Sequence, residues 1–224
     1  MKLIYYPFKS FTIDAGVPTI LETDNHEVYR NLLINFTDMA DNLNFSDDTL
    51  ELISTTKALK WFGDASICTD LNKLFLPQLY KQIKLNLTAE QNRIITDQSR
   101  TLKNVVLEAT YSLDLPLNIG DQIATEKVLK FCDLHFDTSL STNCYGIIET
   151  ILKTAKELNE QRILGFMNIS DYLTLQELQD LFELIRTLDL TVLIIKFSEN
   201  QRSVEFNNCR YYYIDQDYVD WRYE

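Results

Sequence analysis

The sequence predicts an α/β fold with a helical excursion, and three observations carry that prediction. A short strand feeds a helical stripe near the N-terminus, a long helical stretch fills the middle of the chain, and two apolar strands flank a helix near its end. The chain has 224 residues, of which 46% are hydrophobic and 12% aromatic, so it is long enough to bury one substantial core. Five Gly and four Pro are spread without a repeat or a low-complexity tract, which argues for one folding unit with an excursion.

Taken in order, the first 22 residues hold short apolar stretches: Leu3-Ile4-Tyr5-Tyr6, Phe11-Thr12-Ile13 and Thr19-Ile20-Leu21. Pro7 and Ala15-Gly16-Val17-Pro18 separate them, which reads as short strands and a turn. From His26 the pattern changes to Val28, Leu32, Phe36, Met39 and Leu43, a helical stripe with Asp24 or Asn25 as its N-cap. Leu50-Glu51-Leu52-Ile53 is a short strand, with irregular structure after it to residue 68. Asp70 caps a helix through Leu71, Leu74 and Phe75, which Pro77 interrupts or restarts. Thr88-Ala89-Glu90-Gln91 has capping-box form and opens the longest helix, with Ile94, Ile95, Leu102, Val105, Val106, Ala109 and Leu113 in helical spacing. About 24 residues at 1.5 Å each span about 36 Å, enough to project beyond a compact body.

After Pro116 and Gly120, a shorter helix covers Gln122 to Cys132, and another covers Tyr145 to Leu158 with Ile148, Ile151, Leu152, Ala155 and Leu158 inward. Then the α/β pattern returns. Arg162 to Met167 is an apolar strand ending in Asn168, and the capping box Thr174-Leu175-Gln176-Glu177 opens a helix that buries Leu178, Leu181, Phe182 and Ile185. Thr191 to Ile195 is a second apolar strand, so this strand–helix–strand unit predicts a parallel pair buried on both faces.

The longest apolar runs, such as Leu190 to Phe197 interrupted by Lys196, are too short to span a bilayer, and the first residues lack a signal-peptide core. A cytoplasmic protein without a membrane partner is expected. Cys68, Cys132, Cys144 and Cys209 are widely separated, with no C-x-x-C pair and only His26 and His135 to join them, so reduced, mostly buried thiols are expected in place of a zinc site. The net charge of −12 opposes indiscriminate binding of nucleic acid, although 21 Lys and Arg suffice for one basic face.

A strand entering a helix near the N-terminus, with a later apolar strand ending in a polar residue, is the skeleton of a P-loop nucleotide-binding domain. The phosphate chemistry is missing from it. Where a glycine-rich loop with a lysine would cradle phosphates, the chain has Leu21-Glu22-Thr23-Asp24-Asn25-His26-Glu27, and Asn168 stands where a magnesium-holding aspartate belongs. No nucleophile elbow or zinc-protease motif occurs, and His135 reads as a half-buried strand residue beside Phe136. No catalytic residue is assigned.

Two groups of side chains remain. Glu108, Asp114, Asp121, Glu126 and Asp133 gather acids around the long helix and its successor, a supply of hard oxygen ligands for Ca²⁺, although Asp121 serves equally well as a helix cap. Lys81, Lys84, Arg93, Arg100, Lys103, Lys127, Lys130, Lys153 and Lys156 lie in or beside the helical excursion. Lys127 with Lys130, and Lys153 with Lys156, are i,i+3 pairs that present two ammonium groups on one helix face, an arrangement suited either to phosphates or to plain solvation.

As a whole the sequence resembles the small accessory adaptation proteins of type II-A CRISPR systems. The resemblance runs through Gly16-Val17-Pro18-Thr19-Ile20-Leu21-Glu22, Thr69-Asp70-Leu71-Asn72 and Leu113-Asp114-Leu115. It continues in Ile163 to Asn168 with Tyr172-Leu173-Thr174, and in Asp189-Leu190-Thr191-Val192-Leu193. It implies a degenerate P-loop-NTPase-like head, drawn from residues 1–75 and 160–224, and a helical leg over residues 76–159. It implies a homotetrameric ring with a basic bore that binds double-stranded DNA, particularly ends, without sequence preference. Such a ring acts in spacer acquisition beside the CRISPR integrase and the guide-RNA nuclease. On that reading Lys84, Lys103, Lys127, Lys130, Lys153 and Lys156 meet phosphates. Asp114, Asp121, Glu126 and Asp133 hold Ca²⁺, with Pro116 and Asn118 where relatives tend to carry further acids. The alternatives are a divergent nucleotide hydrolase and a protein-interaction scaffold that does not touch DNA.

Overall fold

The computed structural model describes residues 1–38, 43–47, 49, 51–65, 70–120, 124–137, 143–199, 206 and 208–223. The chain forms two compact units, residues 1–69 with 138–224 and residues 70–137.

The first unit is built on a six-stranded sheet. Its strands are β3 (Thr19–Thr23), β6 (Leu59–Gly63), β7 (Ile163–Met167), β8 (Val192–Phe197), β9 (Arg210–Ile214) and β10 (Asp220–Tyr223). They lie in the order β10-β9-β3-β8-β7-β6, all parallel neighbours except β10, which runs antiparallel to β9. The α/β class read from the sequence is thus the fold of the chain, with β7 and β8 as the parallel pair. A smaller antiparallel sheet joins β1 (Lys2–Ile4), β2 (Phe11–Thr12), β4 (Asn44–Ser46) and β5 (Leu52–Ile53), and the single turn α2 (Thr55–Ala58) leads from it into β6.

Helix α1 (His26–Thr37) follows β3, and α7 (Leu175–Leu188) joins β7 to β8. The two crossovers travel in opposite directions across the sheet, so right-handed connections place their helices on opposite faces. On the α1 face, Val28, Leu32 and Phe36 close over Leu21, Leu193, Ile195 and Ile214, together with Leu3, Phe11 and Phe45 of the smaller sheet. Every residue in that cluster is almost entirely withdrawn from water. On the other face α7 packs with α6 (Cys144–Glu157), whose Ile147, Ile148, Ile151, Leu152 and Ala155 are buried.

The sequence places residues 144–157 in a helical leg, whereas packing groups that helix with the sheet. Its seven buried residues need a sheet face to cover them, which explains the grouping. Strand β6 reads as irregular in the sequence because Lys60 and Gly63 break its apolar pattern. It is nevertheless the sheet's edge, with a register shift between Trp61 and Gly63.

Gly165 on β7 is a close approach that only glycine permits. A Cβ there would lie 2.6 Å from Trp61 Cε3 and 2.8 Å from Leu59 Cδ1 on the neighbouring strand. Gly165→Ala is therefore expected to cost about 1–3 kcal/mol, the usual penalty of overpacking. Chemical denaturation measures it, and a loss below about 0.5 kcal/mol would show that the indole simply moves aside.

The second unit contains α3 (Leu71–Asn86), α4 (Ala89–Thr110) and α5 (Thr125–Phe131). Asp70 caps α3 by accepting from Lys73 N–H, and the helix runs on through Pro77 where an interruption was expected. Pro77 forgoes one helical hydrogen bond and lies on an exposed stretch, so the rest of the ladder persists. Thr88 and Gln91 form the reciprocal capping box that opens α4, with bonds of 3.2 and 2.8 Å. Within this unit Phe75 meets Phe136 edge to face at 6.3 Å, and Asn72 Oδ1 accepts Phe136 N–H at 2.8 Å.

Candidate functional site

The turn between β3 and α1 is the place where a P-loop domain would bind phosphate. Its donors are already engaged. Asn25 Oδ1 accepts Glu27 N–H at 3.0 Å and Val28 N–H at 3.1 Å, the two amides that an anion would otherwise meet at the helix N-terminus. Thr23 Oγ1 accepts Asn25 N–H and donates to Ile214 O at 2.7 Å. Glu22 is fully buried and takes the Tyr211 hydroxyl at 2.9 Å. Burial, then the Asp24 carboxylate to which it is hydrogen-bonded, pushes the Tyr213 hydroxyl well above its ordinary range. Carboxylates therefore occupy the ground that a triphosphate would need.

Asn168 ends β7 in the left-handed region, φ 57°, and accepts the Tyr29 hydroxyl at 2.9 Å. Beyond it, Lys196 on β8 is only 1% exposed. Its ammonium donates to Asp171 Oδ1 at 2.6 Å and to Ser170 Oγ at 2.8 Å, tying β8 to the turn that leads into α7. In the sequence Lys196 registers only as an interruption in an apolar run. A lone lysine inside a buried strand is the available signal, since such a charge needs a partner.

The lysines divide between the units. Lys84, Lys103, Lys127 and Lys130 belong to residues 70–137, whereas Lys153 and Lys156 lie on α6 of the other unit. Lys84, Lys127, Lys130, Lys153 and Lys156 are exposed or half-exposed, and Lys103 is half-buried. Lys153 pairs with Glu149 at 2.7 Å, while Lys127 and Lys130 make no ion pair with a described residue. Unpaired ammonium groups three residues apart on one helix face are available to phosphate oxygens.

Of the proposed metal ligands, Asp114 and Asp133 are exposed, Glu126 is half-buried, and Asp121 lies outside the described residues. Among the described residues no three His, Cys, Asp or Glu side chains converge on one point. Asp133 takes a left-handed φ of 52° just past α5, and its carbonyl lies 2.6 Å from His135 Nδ1. His135 itself is exposed and outside any strand, not half-buried as expected, because only Phe136 of that segment turns inward. The thiols also differ from expectation: Cys132 is exposed and Cys144 and Cys209 are half-buried, while Cys68 lies outside the described residues. Burial pushes the Cys209 thiol up to about 12.

Helix α4 has the most unusual surface. It is 22 residues long and buries none of them. Ile94, Leu102, Val105 and Val106 are all about half exposed, between 45% and 59%. At 100° per residue these four fall within a stripe about 120° wide, the signature of a helix face meant to be covered.

No helix among the described residues is long and apolar enough to cross a membrane. No curated protein matches the sequence. Among solved structures, Stu0660 of Streptococcus thermophilus matches with a TM-score of 0.51 at 11% identity, over 95% of this chain and 74% of that one. MJ1267, an ATP-binding cassette of an ABC transporter in its ADP conformation, has a TM-score of 0.43 at 13% identity, over 95% of this chain and 84% of that one. A nucleotide-free ATP-binding cassette has a TM-score of 0.48 at 13% identity, over 100% and 92%. The sequence model of the CRISPR-associated protein family Cas_Csn2 matches residues 45–218, more than half of the chain. The chain therefore belongs to the Cas_Csn2 family of CRISPR-associated proteins.

Proposed function

We propose that this CRISPR-associated chain is a non-enzymatic, sequence-independent double-stranded DNA-binding protein of spacer acquisition, assembled as a calcium-stabilised homotetrameric ring that receives DNA ends. The observation that carries the reading is α4, whose apolar stripe stays open to water in the single chain. Copies of the same chain supply a matching stripe, and closed symmetric association removes it from water without leaving a new one exposed. The ammonium groups of Lys127 and Lys130, which pair with no described residue, are repeated in every copy and then provide phosphate contacts that the net charge of −12 would otherwise oppose. Lys84, Lys103, Lys153 and Lys156 add to that surface, and Asp114, Asp121, Glu126 and Asp133 are the proposed calcium ligands. The integrase and the guide-RNA nuclease are the proposed protein partners, and the cytoplasm the proposed compartment.

A divergent nucleotide hydrolase is disfavoured by the self-capped turn at Asn25, which leaves no N–H pair for a phosphate. A scaffold without DNA contacts shares every other feature, so DNA binding decides between them. The test compares a linear duplex with a small closed circle of the same sequence, with and without calcium, alongside ATP and GTP turnover. Linear duplex is expected to bind and the circle to bind at least tenfold more weakly, with no turnover and a larger mass in calcium. The double variant Lys130→Ala and Lys153→Ala should lower the salt slope by about 0.9 for each phosphate that is no longer neutralised. Equal affinity for both topologies rejects the ring, and absent DNA binding leaves the scaffold.

A further inference from the structure

Within the 70–137 unit a groove of about 610 Å³ lies between α3 and α5. Leu76, Pro77 and Tyr80 form its apolar part, and Lys73, Lys81 and Lys130 line it beside them. The sequence explains the arrangement: Lys73, Pro77, Tyr80 and Lys81 follow i, i+4, i+7 and i+8, one face of α3, and Lys130 comes from α5. Pro77 contributes a ring with no N–H, so this stretch of wall offers no backbone donor.

None of the three lysines makes an ion pair with a described residue. The groove also carries two acids. Asp70 is committed to the α3 N-terminus, where its carboxylate accepts Lys73 N–H at 3.0 Å, and Glu126 is half-buried in the first turn of α5. The lining therefore holds three lysines against two carboxylates, an excess of positive charge beside its apolar residues. A volume of this size falls in the range of small-molecule clefts, which pair an apolar lining with a few charged groups that fix orientation.

We propose that this groove binds a small organic anion, its aromatic or aliphatic body on Leu76, Pro77 and Tyr80 and its acidic group met by the lysines. The proposal shares Lys130 with the DNA reading, so it is tested on Lys73 and Lys81, which that reading does not assign. The probe is 1-anilinonaphthalene-8-sulfonate, titrated into the full chain and followed by its emission, with octanoate and 1-octanol as competitors. We expect saturable uptake that octanoate displaces and octanol, which lacks the charge, displaces poorly. The double variant Lys73→Gln and Lys81→Gln should weaken uptake about tenfold or more, the usual worth of one charge-assisted contact, with its melting temperature and DNA binding unchanged. Leu76→Trp, which fills the apolar part, should abolish displaceable uptake. Uptake unaffected by the lysine changes, or displaced equally by octanol, would assign the probe to another apolar surface such as the stripe of α4 and overturn the proposal.

Discussion

Asp171→Asn is expected to lower the unfolding free energy by about 2–3 kcal/mol, although Asp171 itself is 46% exposed. The cost arises on the other side of the pair. Lys196 is 1% exposed, and among the described residues its ammonium donates to the Asp171 carboxylate and the Ser170 hydroxyl. Removing the carboxylate charge takes away the acid to which the buried ammonium is hydrogen-bonded, a change that costs about 3–5 kcal/mol in a fully dry interior and less where water reaches one partner. If the buried charge is the cause, adding Lys196→Met to the Asp171→Asn background should recover at least half of the loss, because the apolar stem keeps its packing. Urea midpoints of the wild type, both single variants and the double variant close the cycle. Glu22 lies opposite Lys196 in the β3–β8 register and offers an alternative counter-charge. A harmless Asp171→Asn would show that the Asp171 carboxylate is not what balances the Lys196 charge.

Much of the fold is legible wherever period and capping agree. The spacing of Val28, Leu32 and Phe36 marks a buried face and all three are buried, and Asn25, one of two possible caps, is the cap. Both capping boxes, at Thr88 and Thr174, form as read. The stripe runs too far at its end: α1 stops at Thr37, and Leu43 is buried outside the helix, because a buried loop residue imitates the next helical position. Two of the strands that the sequence hides share one reason. β6 and β10 are edge strands, and Lys60, Asp220 and Arg222 interrupt the apolar alternation that marks a central strand. The C-terminal tyrosines, which no sequence pattern assigns, form β9 between β3 and β10, with Tyr211 and Tyr212 fully buried.

The candidate site is less legible, since its parts lie far apart in sequence. Lys196 meets Ser170 and Asp171 only because β7 and β8 are neighbours, and Tyr29 reaches Asn168 only because α1 covers the end of β7. The charge on Glu160 is a similar case: Arg162, and with it Lys60 from a distant strand, hold its carboxyl down to about 2. Lysine spacing reports which pairs share a helix face but not which unit carries the helix, and so it groups Lys153 and Lys156 with Lys127 and Lys130.

If the proposed ring is covered along α4, Leu102→Glu with Val106→Glu is expected to reduce it to a single chain and to remove most DNA affinity, without unfolding the protein. Leu102 and Val106 are 45% and 50% exposed, so a monomer should tolerate glutamate there within about 0.5 kcal/mol. In an assembly that covers the stripe, the same changes bury carboxylates against apolar surface, at several kcal/mol per copy, and every copy carries two. DNA affinity should fall with the mass, because in the proposed ring phosphate contacts count across all copies. If each chain supplies about two contacts, a ring of four makes about eight and has a salt slope near roughly −7, whereas one chain has a slope near roughly −2. At salt low enough for the monomer to bind at all, linear and circular duplexes should then bind alike, since a single chain threads nothing. Light scattering measures the mass, titration at several salt concentrations gives the slope, and thermal melting reports the fold. A variant that stays assembled would place the subunit contact away from α4. One that dissociates yet keeps the steep slope and the preference for ends would show that the ring is not what holds DNA.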